Sequence, residues 1–139
     1  MKYRNIVNYK YELMEFEKFQ VLLPNTAKTI PYIYIKNNIL VIKKHYAWDG
    51  SSIPIKNAWS WIWDSDKYCK IASLVHDALC QLIRAGLLDL NYRCYADNLY
   101  RDMCITGGMF KWQANMRFWF LRKFGKSEVV KPENLIIEV

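Results

Sequence analysis

The sequence predicts an α+β fold: a small N-terminal antiparallel sheet or set of hairpins, then three α-helices with an antiparallel helix pair. Three observations carry that prediction. Residues 32–44, "YIYIKNNILVIKK", set two β-rich runs around an Asn-Asn pair. Residues 64–86 repeat apolar side chains at helical spacing. Two further helical runs follow, each closed by glycine. The 139 residues suffice for one core and read as one domain. Residues 1–55 are mostly β and 56–126 mostly α. Residues 127–139 form a C-terminal tail in which "ENLIIEV" reads as a final strand.

The elements follow in order. "FQVLL" (19–23) is a short strand bounded by "PNT". "YIYI" and "ILVIKK" make a hairpin, because Asn37 and Asn38 tolerate the positive φ of a tight turn. "WDGSSIP" then ends regular pairing, with Asp-Gly as a turn and Pro54 unable to donate. The first helix carries Ile71, Leu74, Val75, Ala78, Leu79 and Leu82, a continuous apolar stripe. Asp64, Ser65 or Asp66 caps its start and Gly86 its end. The second repeats the pattern through Tyr92, Tyr95, Ala96, Leu99 and Met103, stopping at Gly107-Gly108. The third is "MFKWQANMRFWFLRKFG", closed by Gly125.

Charge and composition bound the partners. Hydrophobic residues make up 53% of the chain and charged residues 24%, the balance of a globular protein rather than a disordered one. The net charge of +7 permits an anionic partner, but no basic tail or nucleic-acid motif accompanies it. Nucleic acid is therefore the least supported partner. The densest basic run is Arg117, Arg122, Lys123 and Lys126, interleaved with aromatics. No apolar stretch approaches the roughly 18 residues of a membrane span. No signal peptide is visible either, so synthesis in a cytoplasm is expected. The four cysteines, Cys69, Cys80, Cys94 and Cys104, have no CxxC spacing and read as buried thiols in a reducing compartment.

The polar residues of the first two helices form a candidate site. Ser73, His76, Asp77 and Cys80 fall on the face opposite the apolar stripe. A short connection makes the two helices antiparallel neighbours. Counted from that connection, His76 and Asp97 differ in depth by roughly 6 Å, which stagger and side-chain length absorb. A His76–Asp97 hydrogen bond would fix the imidazole tautomer and leave the other nitrogen as a base. Asp77 would then bind a hard cation, with Asp49, the carbonyls of Gly50 or Ser51, and hydroxyls of the loop completing an oxygen shell suited to Ca²⁺.

The motifs "YAWDGSSIP", "LVHDALC", "YRCYADNLYRDM" and a closing "RKFG" resemble, in order and spacing, the phage-associated domain of unknown function family 1353. The resemblance spans roughly residues 40 to 125. It implies a phage or prophage origin and no established activity. "HDALC" with "ADNLYRDM" is also similar to the prokaryotic branch of phospholipase A2. Carried over by position, that likeness implies His76 as base, Asp97 as its orienting carboxylate and Asp77 as a Ca²⁺ ligand. The position four after the His is Cys80 where that branch has Tyr, and the glycine-rich metal loop is not reproduced.

Blander readings stand beside these. His76 and Asp77 also fit a solvated helix surface, and Asp97 an i,i+4 partner of Arg93 or Arg101, worth about 0.2–0.5 kcal/mol. Asp49 also fits a plain Asp-Gly turn. No G-x-S-x-G elbow frames Ser51 or Ser52 as a nucleophile. Trp59, Trp61 and Trp63 fit packing over the helices, a protein interface or a lipid-surface patch. Two functional expectations result. One is a Ca²⁺-assisted, phospholipase A2-like hydrolase of lipid or envelope esters. The other is a virion-associated structural or accessory protein, with neighbouring virion proteins as its partners. A host-factor or nucleic-acid binder is a third.

Overall fold

The computed structural model describes residues 1–4, 11–26, 32–48 and 66–124. Within them the architecture is α+β, as the sequence predicts: two small antiparallel sheets followed by three helices. The expected caps Asp64 and Ser65, the "DGSSIP" loop, the tryptophans 59, 61 and 63, and the expected strand at 133–139 lie outside the described residues.

The strands are β1 (Tyr3–Arg4), β2 (Tyr11–Leu13), β3 (Glu17–Gln20), β4 (Ile33–Lys36), β5 (Ile39–Ile42) and β6 (Ala47–Trp48). One sheet has the order β1-β2-β6 and the other β3-β5-β4. The predicted hairpin is β4–β5, with Lys36 opposite Ile39 across a two-residue turn. Asn37 and Asn38 adopt φ of 53° and 62°, the left-handed pair that such a turn demands. Ile33, Ile35, Leu40 and Ile42 face the core, while Tyr34 and Lys36 point outward. The strand expected at 19–23 is shifted. Its ladder runs from Glu17 to Gln20 against β5, while Val21 and Leu23 are buried beyond it. Val21 N still donates to Asn38 O at 2.9 Å, and side-chain burial accounts for the hydrophobicity of both.

The helices are α1 (Asp66–Arg84), α2 (Arg93–Thr106) and α3 (Lys111–Phe124). α1 ends as predicted at Gly86, whose φ is 78°. Its amide reaches Ile83 O at 3.0 Å while Leu87 N reaches Leu82 O at 3.0 Å, the paired bonds of a Schellman cap. Gly108 closes α2 the same way, with Met109 N on Cys104 O at 3.0 Å. α1 packs against α2, and α2 against α3.

One alternative and one expectation are corrected. The polar face of α1 is not the solvated surface of the blander reading: Ser73, His76 and Cys80 are 2%, 4% and 2% exposed. The apolar stripe meets the sheets and the polar face meets α2, so both are covered, while Ile71 of the stripe is 43% exposed. Nor are the cysteines four buried thiols. Cys69 and Cys104 are joined as a disulfide between the start of α1 and the end of α2, Cys94 is exposed, and Cys80 is buried outside any disulfide.

Two apolar clusters result. The larger unites both sheets with Leu74, Val75, Leu79 and Leu82 of α1. The smaller gathers Cys69, Ala72, Tyr100, Cys104, Met109 and Ala114 where the three helices meet. On α1, His76 follows Val75 and precedes Ala78 of the larger cluster, and its ring meets Tyr100 of the smaller.

Candidate active site

The antiparallel helix pair places His76 beside Asp97 despite their unequal depths. Nε2 of His76 lies 2.6 Å from Oδ1 of Asp97, and the Asp97 side chain is 1% exposed. Burial, the largest single influence on the Asp97 carboxyl, pushes its pKa up. The hydrogen bond and charge of His76, the Arg122 bond and the nearby Arg93 charge outweigh burial and hold it below the ordinary value. Asp97 is therefore an anion, and a carboxylate can only accept. Nε2–H of His76 donates to it in either charge state of the ring, and in the neutral ring Nδ1 carries the lone pair.

Asp97 is held on its second oxygen too. Nη1 of Arg122 donates to Oδ2 at 2.9 Å, and Nε of Arg93 lies 3.7 Å from the same oxygen. Arg93 is the expected i,i+4 partner. Arg101 is not: its Nη2 donates to Asn98 Oδ1 at 3.1 Å and its guanidinium sits over the Phe118 ring. Arg122 comes from α3, which Arg93 also fastens by donating to Leu121 O at 2.6 Å. In the sequence Arg122 reads only as part of a basic run. Lys111, Arg117, Arg122 and Lys123 all punctuate the aromatic helix, and packing rather than local pattern decides which of them turns inward.

Nδ1 of His76 faces Asp77, with Oδ1 at 4.0 Å and the Asp77 side chain 31% exposed. Cys80 Sγ lies 3.7 Å from Nδ1 and 3.8 Å from Nε2, against the ring's flank. Tyr100 of α2 packs edge-on to the imidazole, with centroids 5.4 Å apart. Trp48 fixes the entry to the "DGSSIP" loop. It is 1% exposed, and its indole donates to Ser73 Oγ at 3.1 Å, one turn before His76. Asp49, Gly50 and Ser51, the expected partners of Asp77 in a Ca²⁺ shell, lie outside the described residues. So do Trp59, Trp61 and Trp63. Among the described residues no group of three His, Cys, Asp or Glu side chains gathers as a metal shell.

A second polar group was not foreseen. Arg117 of α3 is 2% exposed and donates from Nη1 to the Tyr100 hydroxyl at 3.3 Å. Its Nε and Nη2 are buried with no hydrogen-bond partner among the described residues. A buried donor left unmade costs about 1–3 kcal/mol, more for a charged group. Arg117, like Arg122, was legible only as part of a basic run.

Together these elements define a small α+β domain in which a buried His–Asp pair is clamped by arginines from two helices. The chain belongs to the family described as "Protein of unknown function (DUF1353)", whose model matches residues 26–121. No curated protein and no solved structure matches the chain.

Proposed function

We propose that this protein is a phage-encoded ester hydrolase in which His76 is the general base and Asp97 its orienting carboxylate. One observation carries the reading: the 2.6 Å bond from His76 Nε2 to a buried, ionised Asp97. That bond sets the tautomer a base needs and supplies a counter-charge for the imidazolium formed during reaction. Nδ1 takes a proton from water as the water oxygen attacks the ester carbonyl. The tetrahedral intermediate then collapses, its alcohol leaves, and the imidazolium returns the proton to that alcohol. The products are an acid and an alcohol. Tyr100 and Cys80 flank the ring and restrict its rotation.

The reading extends to lipid or envelope esters as substrates, in a host cytoplasm or on a virion. Ca²⁺, which the phospholipase likeness implies, would be held by Asp77 together with Asp49, Gly50 and Ser51, of which Asp77 is among the described residues, and would polarise the ester carbonyl.

A second reading is a non-catalytic virion or accessory protein. It is favoured by exposed apolar side chains on and just before α3: Phe110, which precedes the helix, and Trp112, Met116 and Trp119 on it are 70%, 52%, 38% and 51% exposed. Exposed aromatics on this scale suit a protein or lipid interface.

One assay separates the two. Purified protein is tested against a panel of phospholipid and simple esters, with and without Ca²⁺, beside His76→Ala. The hydrolase reading expects turnover that falls by about 10²–10⁴-fold in the variant. No turnover by folded wild type on any ester, or turnover untouched in His76→Ala, overturns it. Activity surviving chelation removes the Ca²⁺ expectation and leaves the dyad standing.

A further inference from the structure

The candidate site is not the whole of the polar chemistry inside this domain. Among the described residues, the buried side-chain atoms lacking a hydrogen-bond partner are Nε and Nη2 of Arg117. These two nitrogens form one edge of the guanidinium. Their N–H bonds run nearly parallel and match the spacing of two oxygens on one carboxylate or phosphate group. The third nitrogen is occupied by the Tyr100 hydroxyl at 3.3 Å, which fixes the rotation of the fork. Among the described residues no acidic side chain bonds the free edge of the Arg117 fork. α3 contains no acidic residue. On α2, Asp97 is held by His76, Arg122 and Arg93, and Asp102 lies beside Arg101 at the surface.

We propose that Arg117 is the anchor of an oxyanion-binding site, its Nε–Nη2 edge taking two oxygens of a carboxylate or phosphate group. Arg117 is carried on the rigid third helix, beside Ala114 of the smaller apolar cluster. Tyr100 spans the distance to the dyad, touching Arg117 through its hydroxyl and His76 through its ring. The site therefore lies on the same side of α2 as the candidate base. Binding there is independent of turnover, so it stands whether or not the dyad hydrolyses an ester.

The experiment is a titration of the full-length, isotope-labelled protein with inorganic phosphate and, separately, with acetate. The side-chain Nε–Hε signal of Arg117 is followed by NMR and assigned by its loss in Arg117→Lys. The site predicts a saturable shift of that signal with at least one anion. The tighter of the two tells a phosphate ligand from a carboxylate one. Arg117→Lys keeps the charge and loses the fork, so affinity measured calorimetrically should fall by roughly 10-fold or more. Arg117→Met should abolish it. If neither anion shifts the Arg117 signal, or if both bind Arg117→Lys as tightly as wild type, the proposal is overturned. The wild-type titration decides the matter even where Arg117→Met fails to fold.

Discussion

Asp97 is a charge that the interior tolerates because three groups surround it. It is 1% exposed, yet His76, Arg122 and Arg93 all approach its two oxygens. Their combined effect exceeds the cost of burial and leaves its pKa below the ordinary value. The consequence for stability has a definite sign. A carboxyl whose folded pKa lies below its unfolded value of about 3.9 stabilises the fold above that value, and loses the contribution as pH falls through the lower folded value. Asp97→Asn keeps the shape and removes the charge, leaving His76 and Arg122 without their anion. It should cost about 3–5 kcal/mol at neutral pH, read from denaturant unfolding. The gap between variant and wild type should narrow below about pH 4, as the wild-type carboxyl takes up its proton. A gap that is absent at neutral pH, or unchanged into strong acid, would contradict the ionised state assigned to Asp97.

At the scale of elements, α1 and α2 are fastened at two levels. The His76–Asp97 bond joins the middle of α1 to the early part of α2, and the Cys69–Cys104 disulfide joins their far ends across a separation of 35 residues. Closing a loop of that length restricts the unfolded chain and is worth about 2–4 kcal/mol. A reductant, or Cys69→Ser with Cys104→Ser, should therefore lower the thermal midpoint while leaving the helical circular dichroism unchanged at low temperature. A midpoint indifferent to reductant would show that the two sulfurs are not bonded in solution. The hairpin and helix ends were legible in the sequence because each rests on local chemistry: Asn37-Asn38 at positive φ, Gly86 and Gly108 in left-handed caps. The β1-β2-β6 sheet was not. Its strands are two or three residues long, and its Tyr11–Trp48 pairing joins parts of the chain that no local pattern connects.

At the scale of the whole molecule, the candidate site depends on three helices that meet at the smaller apolar cluster. Half of that was readable in advance. His76 and Asp97 sit at spacings that two antiparallel helices bring together, so the pair emerged from periodicity and connection length. The third helix did not. Nothing local says that Arg122 turns inward to Asp97 or that Arg117 is buried against Tyr100; only the packing of α3 on α2 decides it. The same packing hid the burial of α1's polar face, since a helix covered on both sides looks amphipathic when its second neighbour is also polar there. The central claim is that Asp97 holds His76 with the proton on Nε2 and the lone pair on Nδ1. Long-range proton–nitrogen NMR of the His76 imidazole above neutral pH reads that directly. The structure predicts a protonated Nε2 and an unprotonated Nδ1 in wild type, with that preference weakened in Asp97→Asn. A proton on Nδ1, or a ring that exchanges freely between tautomers, would contradict the account.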